Sequence, residues 1–165
     1  MSSCFAIGRS LGTPSLEGDS EVDQLDPGRV GVRLIDLPRI HDPRGDLTPI
    51  ESGRNVPFDI ARVYYIYNVP VDAVRGGHAH REFEEVLIAI SGSFRVTVDD
   101  GRGRREEFWL RDPQKGLYIG RMVWRELDSF SQGAVSMVLA SHHFEESDYF
   151  RDFSAFRSAV TDCVE

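Results

Sequence analysis

The sequence predicts an all-β protein, a sandwich or a barrel, whose chain ends in one amphipathic helix. Short segments rich in β-branched and aromatic residues recur about every ten residues between turn signals, a spacing typical of sandwiches and barrels rather than of βαβ units. Near the C-terminus the apolar residues recur at steps of three and four, which is the helical period.

The size and composition of the chain fit a single globular domain. It has 165 residues, of which 41% are hydrophobic, enough for one core. The net charge of −8 argues against a nucleic-acid backbone as the main partner. The longest apolar run is too short to cross a bilayer, and no secretory signal is recognisable. The two cysteines, Cys4 and Cys163, lack zinc-site spacing and fit a reducing cytoplasm.

The N-terminal segment differs in composition from the rest of the chain. Residues 1–28 are rich in Ser, Gly, Asp and Glu and show no sustained period. We expect them to form a mobile extension. Residues 29–165 are then the folded domain.

Three strands are predicted before the central motif. Residues 30–37 form the first strand, and residues 46–51 form a second, short one. The turn between them, residues 41–46, is indicated by an Asp-Pro pair and a following glycine. The β-branched and aromatic run at residues 60–67 is the third strand. Residues 70–74 connect it to the next segment.

The fourth strand carries two histidines. His78 and His80 are separated only by Ala79, so on a strand both imidazoles point to the same face. Gly76 and Gly77 come just before them and allow a bulge or a close backbone approach. A buried strand and a turn follow. This pattern indicates a site embedded in a β-fold.

The remaining strands are short and regularly spaced. Residues 93–98 alternate between apolar and polar side chains, and the Asp-Gly pair at residues 100–101 predicts a hairpin. The other predicted strands are residues 86–90, 105–110, 116–119, 123–127 and 134–141. The predicted helix is residues 147–163, with an apolar face made by Tyr149, Phe150, Phe153, Phe156 and Val160. We expect that face to cover the outside or one end of the sheet.

Several motifs resemble known families. Residues 77–85, followed after six residues by Gly92, resemble the first motif of the cupins. A wider set resembles the sugar 3,4-ketoisomerases, which act on thymidine-diphosphate-linked 4-keto-6-deoxy hexoses. The set consists of residues 42–45, 62–66, 75–80, 99–101, 116–120, Trp124 and residues 138–141. The resemblance extends from about residue 30 to residue 156.

The resemblance implies a fold, an assembly and an activity. The fold is a double-stranded β-helix, the cupin jelly roll. The assembly is a homodimer, often with N-terminal strands exchanged between subunits. The substrate is a dTDP-linked 4-keto-6-deoxy sugar, isomerised in the cytoplasm to the 3-keto form without a metal or other cofactor.

The catalytic candidates follow from the chemistry of that reaction. Moving a ketone from C4 to C3 requires removal of the proton at C3, an enediol and reprotonation at C4. A histidine near pKa 6.5 suits both proton transfers at neutral pH. The resemblance implies that His78 is the base at C3, and that His80 and Tyr64 deliver protons or orient the sugar. Tyr64 shares its strand face with Arg62.

The substrate-binding candidates are cationic or aromatic. A diphosphate calls for arginine forks, and Arg44 and Arg75 are the first candidates. The further candidates are Arg62, Glu85, Tyr118, Trp124 and Arg125.

Three other functions remain open at this point. A metal-dependent cupin, such as a dioxygenase, would use His78, His80 and Glu85 with a later histidine. The position after Trp124 is instead Arg125, a poor ligand, which could pair with Glu85. His142 or His143 could complete such a set, although we interpret both as structural or exposed. The chain could also be a non-catalytic sugar-nucleotide-binding cupin or a related sugar-nucleotide epimerase.

Overall fold

The computed structural model describes residues 31–162, and within them the chain forms a β-sandwich closed on one side by a C-terminal helix. The predicted all-β fold is therefore confirmed. The predicted N-terminal extension, residues 1–28, and both cysteines lie outside the described residues. Within the described part, no helix is both long and apolar enough to span a membrane.

Two five-stranded antiparallel sheets make up the sandwich in the described residues. The first sheet has the order β1 (Val32–Asp36), β9 (Lys115–Ile119), β6 (Glu85–Ser91), β11 (Val135–Ala140) and β4 (Arg62–Ile66). The second has the order β12 (Tyr149–Phe150), β5 (Arg75–His80), β10 (Trp124–Asp128), β7 (Phe94–Asp99) and β8 (Arg105–Leu110). A small hairpin of β2 (Ile40–Asp42) and β3 (Gly45–Leu47) stands apart from both sheets.

Alternating side chains build the main core between the two sheets. Leu87 on β6, Val96 on β7 and Val138 on β11 point inward and are almost fully buried. Their neighbours on the outer face of the first sheet form a second cluster, which an irregular segment covers with Val56 and Phe58. The inner and outer faces follow from the two-residue period of a strand.

The second predicted strand is shorter than expected. The sequence predicts an extended segment over residues 46–51, but the strand is Gly45–Leu47, paired with Ile40–Asp42 across the predicted turn. The following apolar residues, including Ile50, pack on the outer face of the first sheet as irregular chain. Burial of these side chains thus does not require a strand.

The predicted start of the C-terminal helix is wrong. Residues 146–148 form a short 3-10 helix, Tyr149–Phe150 forms strand β12, and the α-helix is α1, Phe153–Asp162. Asp152 accepts a hydrogen bond from the N–H of Ala155 at the helix N-terminus. Phe150 packs in the same cluster as the helix residues Phe156 and Val160. Phe150 fits the helical spacing of apolar residues because it packs in the same cluster as the helix residues, although it lies in strand β12.

Candidate active site

A glycine bulge shapes the strand that carries the histidines. Arg125 on β10 faces His78, whereas the next residue, Glu126, faces Gly76, so Gly77 is an extra residue in β5. Both glycines have positive φ, +80° at Gly76 and +66° at Gly77. A Cβ on Gly76 would lie 2.8 Å from the carbonyl oxygen of Arg125. The bulge thus allows the backbone of β10 to lie close to β5 just before the histidines.

Both histidines occupy the same face of β5, as the spacing predicts. Their ring centroids are 4.9 Å apart, while Ala79 packs on the opposite face beneath α1. His78 lines an open cleft of about 770 Å³. His80 has no exposed surface and lies behind it. The other polar residues that line the cleft include Arg62, Tyr64, Arg75, Tyr149 and Arg151.

A buried ion pair lies next to the histidines. Nε of Arg125 donates to Oε1 of Glu85 at 2.7 Å, and the two side chains are 1% and 4% exposed. The same guanidinium donates to the carbonyl oxygen of His78 at 3.2 Å. The Tyr64 hydroxyl donates to the other carboxylate oxygen of Glu85 at 3.3 Å. Glu85 therefore connects three strands through one carboxylate.

His80 is held by side chains from two other segments. Its Nδ1 lies 2.9 Å from Oδ2 of Asp148, and its ring packs against Phe83 at 4.1 Å and Tyr149 at 4.2 Å between centroids. Its Nε2 is buried without a hydrogen-bond partner among the described residues. Strand β12 produces this arrangement, because Tyr149 pairs directly with His80.

The surroundings keep both imidazoles uncharged at neutral pH. Burial and then the nearby Arg125 cation lower the pKa of His78 to about 4. Burial and then Arg125 also hold the pKa of His80 well below its ordinary value. Burial, together with the negative charge of Glu85, raises the pKa of Tyr64 well above its usual range. The site thus presents two neutral imidazoles and a protonated phenol.

The arginine candidates fall into different positions. Arg62 and Arg75 both line the cleft, and Nε of Arg62 is buried without a hydrogen-bond partner within residues 31–162. Arg44 lies at the tip of the β2–β3 hairpin, where it binds Asp42, and its side chain is 90% exposed. Arg44 does not line the cleft. The structure therefore brings two of these three candidates to the histidines.

Two aromatic candidates, Tyr118 and Trp124, do not line the cleft. Tyr118 faces outward from the first sheet and packs near Phe58. Trp124 faces outward from the second sheet and packs against Phe153 and Phe156 beneath α1. Trp124 immediately precedes the inward-facing Arg125, so strand alternation turns its indole away from the cleft.

Tyr149 and Asp148 are the site residues that the sequence does not single out for this role. The sequence places Tyr149 on the apolar face of a helix, yet its ring lies 5.0 Å from His78 and 4.2 Å from His80. Asp152 directly before Phe153 is a helix-start signal. That signal would have placed the helix start at Asp152 and left Tyr149 free to join a strand.

The donor set around the histidines does not favour a metal. Within residues 31–162, no group of three or more His, Cys, Asp or Glu side chains is arranged to hold an ion. Glu85 is already bound by the Arg125 guanidinium, which cannot act as a ligand. His142 and His143 are exposed after the end of β11, and His142 contacts Ser141 through Nδ1.

Known proteins are similar to this chain in sequence. The family described as "FdtA: WxcM-like, C-terminal" matches residues 30–161. A TDP-4-oxo-6-deoxy-alpha-D-glucose-3,4-oxoisomerase from Aneurinibacillus thermoaerophilus is 43% identical over 128 residues, which are 78% of this chain and 91% of that protein.

Two solved structures extend the similarity to the fold. A mutant of the 3,4-ketoisomerase QdtA from Thermoanaerobacterium thermosaccharolyticum, in complex with TDP-4-keto-6-deoxyglucose, is 40% identical with a TM-score of 0.79, over 81% of this chain and 96% of that one. The WlaRB TDP-quinovose 3,4-ketoisomerase from Campylobacter jejuni is 41% identical with a TM-score of 0.74, over 77% and 97%. With the family match covering nearly all of the described residues, this chain belongs to the FdtA family, the WxcM-like C-terminal family.

Proposed function

We propose that this protein is a TDP-sugar 3,4-ketoisomerase, which converts a dTDP-4-keto-6-deoxyhexose to its 3-keto isomer through an enediol. The three relatives described above, which carry this activity in their names, are 40–43% identical to the chain. The observation that carries the proposal is a neutral imidazole, His78, that lines an open cleft, with a second neutral imidazole, His80, buried behind it at 4.9 Å between ring centroids. A neutral imidazole is the form that can take a proton. The lowered pKa of His78, about 4 in the free protein, differs from the value near 6.5 that the sequence argument assumes and makes His78 a weaker base than an ordinary histidine.

His78 is the base in this proposal. It takes the proton from C3, and the electron pair of that bond becomes the enediol double bond while O4 gains a proton. Loss of the O3 proton and return of a proton to C4 complete the isomerisation, so no atom is gained or lost. His78 suits this role because it lines the cleft, whereas His80 is fully buried.

His80 and Tyr64 serve the oxygen atoms of the sugar. The phenol of Tyr64 keeps its proton at neutral pH, so it can donate a hydrogen bond to the enediolate as charge develops. His80 lies next to His78, and its buried Nε2 has no hydrogen-bond partner within residues 31–162. The two groups thus complete proton delivery beside the base.

Arginines at the cleft bind the diphosphate. Arg75 is exposed at the start of β5, and Arg62 lies at the cleft wall, where its Nε has no hydrogen-bond partner in the described part of the chain. Planar guanidinium groups match phosphate oxygens. Arg125 has a different role, because it is buried against Glu85 and holds that carboxylate in place.

The reaction needs no metal in this proposal. A divalent ion beside His78 and His80 would need the Glu85 carboxylate, and Arg125 already neutralises that carboxylate at 2.7 Å. We expect protein purified without added metal to contain far less than one equivalent of Fe, Mn, Ni or Zn and to retain full activity. Stoichiometric metal that is lost together with activity on chelation would contradict this expectation.

Proton NMR of the sugar tests the function directly. Incubation with dTDP-4-keto-6-deoxyglucose in D₂O should produce the 3-keto isomer with deuterium at C4 and exchange at C3. The His78→Asn variant should lose about 10²–10⁴-fold in kcat with an unchanged circular dichroism spectrum. An unchanged sugar spectrum with the wild-type protein would indicate a non-catalytic sugar-nucleotide-binding protein. Near-native turnover by His78→Asn would refute the assigned base.

We also propose that the enzyme is a cytoplasmic homodimer in which N-terminal strands are exchanged. Strand β4 is a sheet edge. Val63 and Tyr65 on its outer face, and Tyr67 just after its end, are 55%, 63% and 57% exposed. Exposed apolar edges of this kind favour association. A cytoplasmic location fits a chain with two cysteines and no recognisable disulfide framework.

Light scattering after gel filtration tests the dimer. The full chain should elute with twice its 18.6 kDa mass, and the Val63→Asp/Tyr65→Asp variant should dissociate at micromolar concentration. A matched double substitution on the exposed face of another edge strand, Glu107→Gln/Trp109→Ser on β8, should leave the mass unchanged. A monomeric wild-type protein would exclude the exchanged dimer.

A further inference from the structure

Three hydrogen bonds fix Asp148 to His80 and to the two residues that follow it. Its Oδ2 lies 2.9 Å from Nδ1 of His80, and its Oδ1 accepts from the N–H of Glu82 at 2.8 Å. Its carbonyl oxygen accepts from the N–H of Arg81 at 3.0 Å. The Asp148 side chain is only 16% exposed. Each of its carboxylate oxygens therefore has a defined partner and little freedom to turn.

This contact determines which nitrogen of His80 carries the hydrogen. An ionised carboxylate only accepts hydrogen bonds, so Nδ1 of a neutral His80 must be the donor. Nε2 is then the nitrogen with the free lone pair. That atom is buried and has no donor within residues 31–162. A buried acceptor without a partner is costly, and a hydroxyl group of a bound ligand would satisfy it.

The charges around His80 make this carboxylate important during turnover. The cations facing the ring are Arg125 from β10, Arg62 from β4 and Arg151 from the segment after β12, and His78 lies on the same strand. All of them disfavour a positive imidazole. Asp148 is a carboxylate in direct contact with the ring, so it stabilises the imidazolium that forms when Nε2 takes a proton.

We propose that Asp148 is a positioning residue that holds His80 as the Nδ1–H tautomer and so presents Nε2 as the proton acceptor for the bound sugar. The proposal rests on the ketoisomerase function proposed above. Because His80 has no exposed surface in the free protein, Nε2 meets the sugar only once the ligand has entered beyond His78. In the step concerned, Nε2 then accepts a proton from a sugar hydroxyl and the bonding pair stays on the sugar oxygen. The same nitrogen later returns the proton to the sugar, and His80 is neutral again at the end of the cycle.

The Asp148→Asn variant tests the tautomer in the free protein. One amide atom must remain oxygen to accept from the N–H of Glu82, so the amide nitrogen faces Nδ1 of His80 and donates to it. His80 should then switch to the Nε2–H tautomer. Nitrogen-15 NMR of labelled histidine distinguishes the two tautomers, with His80→Gln used to assign the signal. The Asp148→Glu variant, which keeps a carboxylate, should retain the Nδ1–H form.

Kinetics of the same variants test the consequence of the switch. Asp148→Asn should lower kcat by about 10²–10⁴-fold with KM within about threefold, and Asp148→Glu should recover part of the loss. The control is Asp128→Asn, which removes another partly buried carboxylate from its arginine on the outer face of β10. That variant should lose stability but keep the wild-type kcat and the wild-type His80 tautomer.

The outcomes separate this proposal from the proposed function. A wild-type His80 in the Nε2–H form, or an Asp148→Asn variant with the wild-type tautomer and kcat, would overturn the role of Asp148. A wild-type protein that does not isomerise the sugar would overturn the ketoisomerase function, while the tautomer spectrum would still report whether Asp148 holds His80 as argued.

Discussion

At the scale of single residues, the most consequential contact is the buried pair of Glu85 and Arg125. Both side chains are nearly inaccessible to water, and removing charges from water is costly unless they are paired. The pair also reaches His78 through its carbonyl oxygen and Tyr64 through its hydroxyl. It therefore acts as a support for the proposed catalytic groups rather than as a surface ion pair.

Removing the Glu85 charge should be strongly destabilising. Glu85→Gln leaves the buried Arg125 cation uncompensated, and we expect the free energy of unfolding to fall by about 3–5 kcal/mol. The matched control is Glu107→Gln, which removes the exposed partner of Arg95 and should cost less than about 1 kcal/mol. Urea denaturation measures both. Equal losses in the two variants would show that burial of the pair adds nothing.

At the residue scale, the type of an aromatic side chain does not by itself distinguish substrate binding from packing. Tyr118 and Trp124 are candidates in the sequence because aromatic rings stack on sugars and bases, yet the same rings are ordinary components of clusters on the outer faces. His78 and His80 are easier to identify, because two polar side chains on one strand face next to a glycine pair are unusual in a core.

Trp124 should therefore behave as a structural residue. Trp124→Phe removes part of the contact with Phe153 and Phe156 beneath α1, and we expect a loss of roughly 1–2 kcal/mol in the free energy of unfolding. KM and kcat should remain within about twofold of wild type. A large rise in KM without a loss of stability would return Trp124 to the substrate site.

At the scale of secondary-structure elements, the β5 bulge and the two-residue strand β12 position the site. The bulge sets the register between β5 and β10 that places Arg125 beside His78. Strand β12 extends the second sheet by only two residues, but it places Tyr149 against both histidine rings. Short irregular elements thus determine the surroundings of the histidines, while the long strands carry the core.

The two glycines of the bulge should differ in their tolerance of a side chain. At Gly77 no atom of the described residues lies within 4 Å of the position that a Cβ would occupy, so Gly77→Ala should cost only the positive-φ strain of about 1–2 kcal/mol. At Gly76 a Cβ also meets the Arg125 carbonyl oxygen at 2.8 Å and Cα of Glu126 at 3.3 Å.

Gly76→Ala should consequently be the more damaging change. It has to push β10 away from β5, which displaces Arg125, so we expect a larger drop in melting temperature and a loss of kcat. Thermal unfolding and steady-state kinetics of the two variants provide the comparison. Similar behaviour of both variants would mean that the close approach of β10 is not required.

At the scale of the whole molecule, the buried histidines make the stability depend on pH. In the unfolded chain a histidine titrates near pH 6.5, whereas the folded pKa of His78 is about 4 and that of His80 is lower still. Below about pH 6.5 the unfolded state therefore binds more protons than the folded state. Stability is complete above about pH 6.5 and is lost progressively as the pH falls toward about 4.

This linkage can be measured by urea denaturation at two pH values. Between about pH 7.5 and about pH 5.0 we expect His78 alone to account for a loss of about 2 kcal/mol, with His80 adding to it in the same direction. The His78→Gln variant should lose less stability over the same interval by about that amount. An identical pH dependence in both proteins would contradict the lowered pKa of His78.

The amino-acid sequence was sufficient for features that depend on local order along the chain. The two-residue period of a strand placed His78 and His80 on one face, and alternation of side chains with turn signals indicated the sandwich. The helical period identified a C-terminal helix, although its start was misplaced. These features need only neighbouring residues, because strand and helix geometry repeat over a few positions.

Other features depended on which distant segments meet. The contact of Asp148 with His80 spans 68 positions of the chain and that of Arg125 with Glu85 spans 40. The outward positions of Trp124 and Tyr118 likewise follow from how their strands pair within each sheet. Pairing and register are settled by the packing of the whole core. The resemblance to a known family suggested that Arg125 could pair with Glu85, but no local pattern reveals that Asp148 and Tyr149 meet His80.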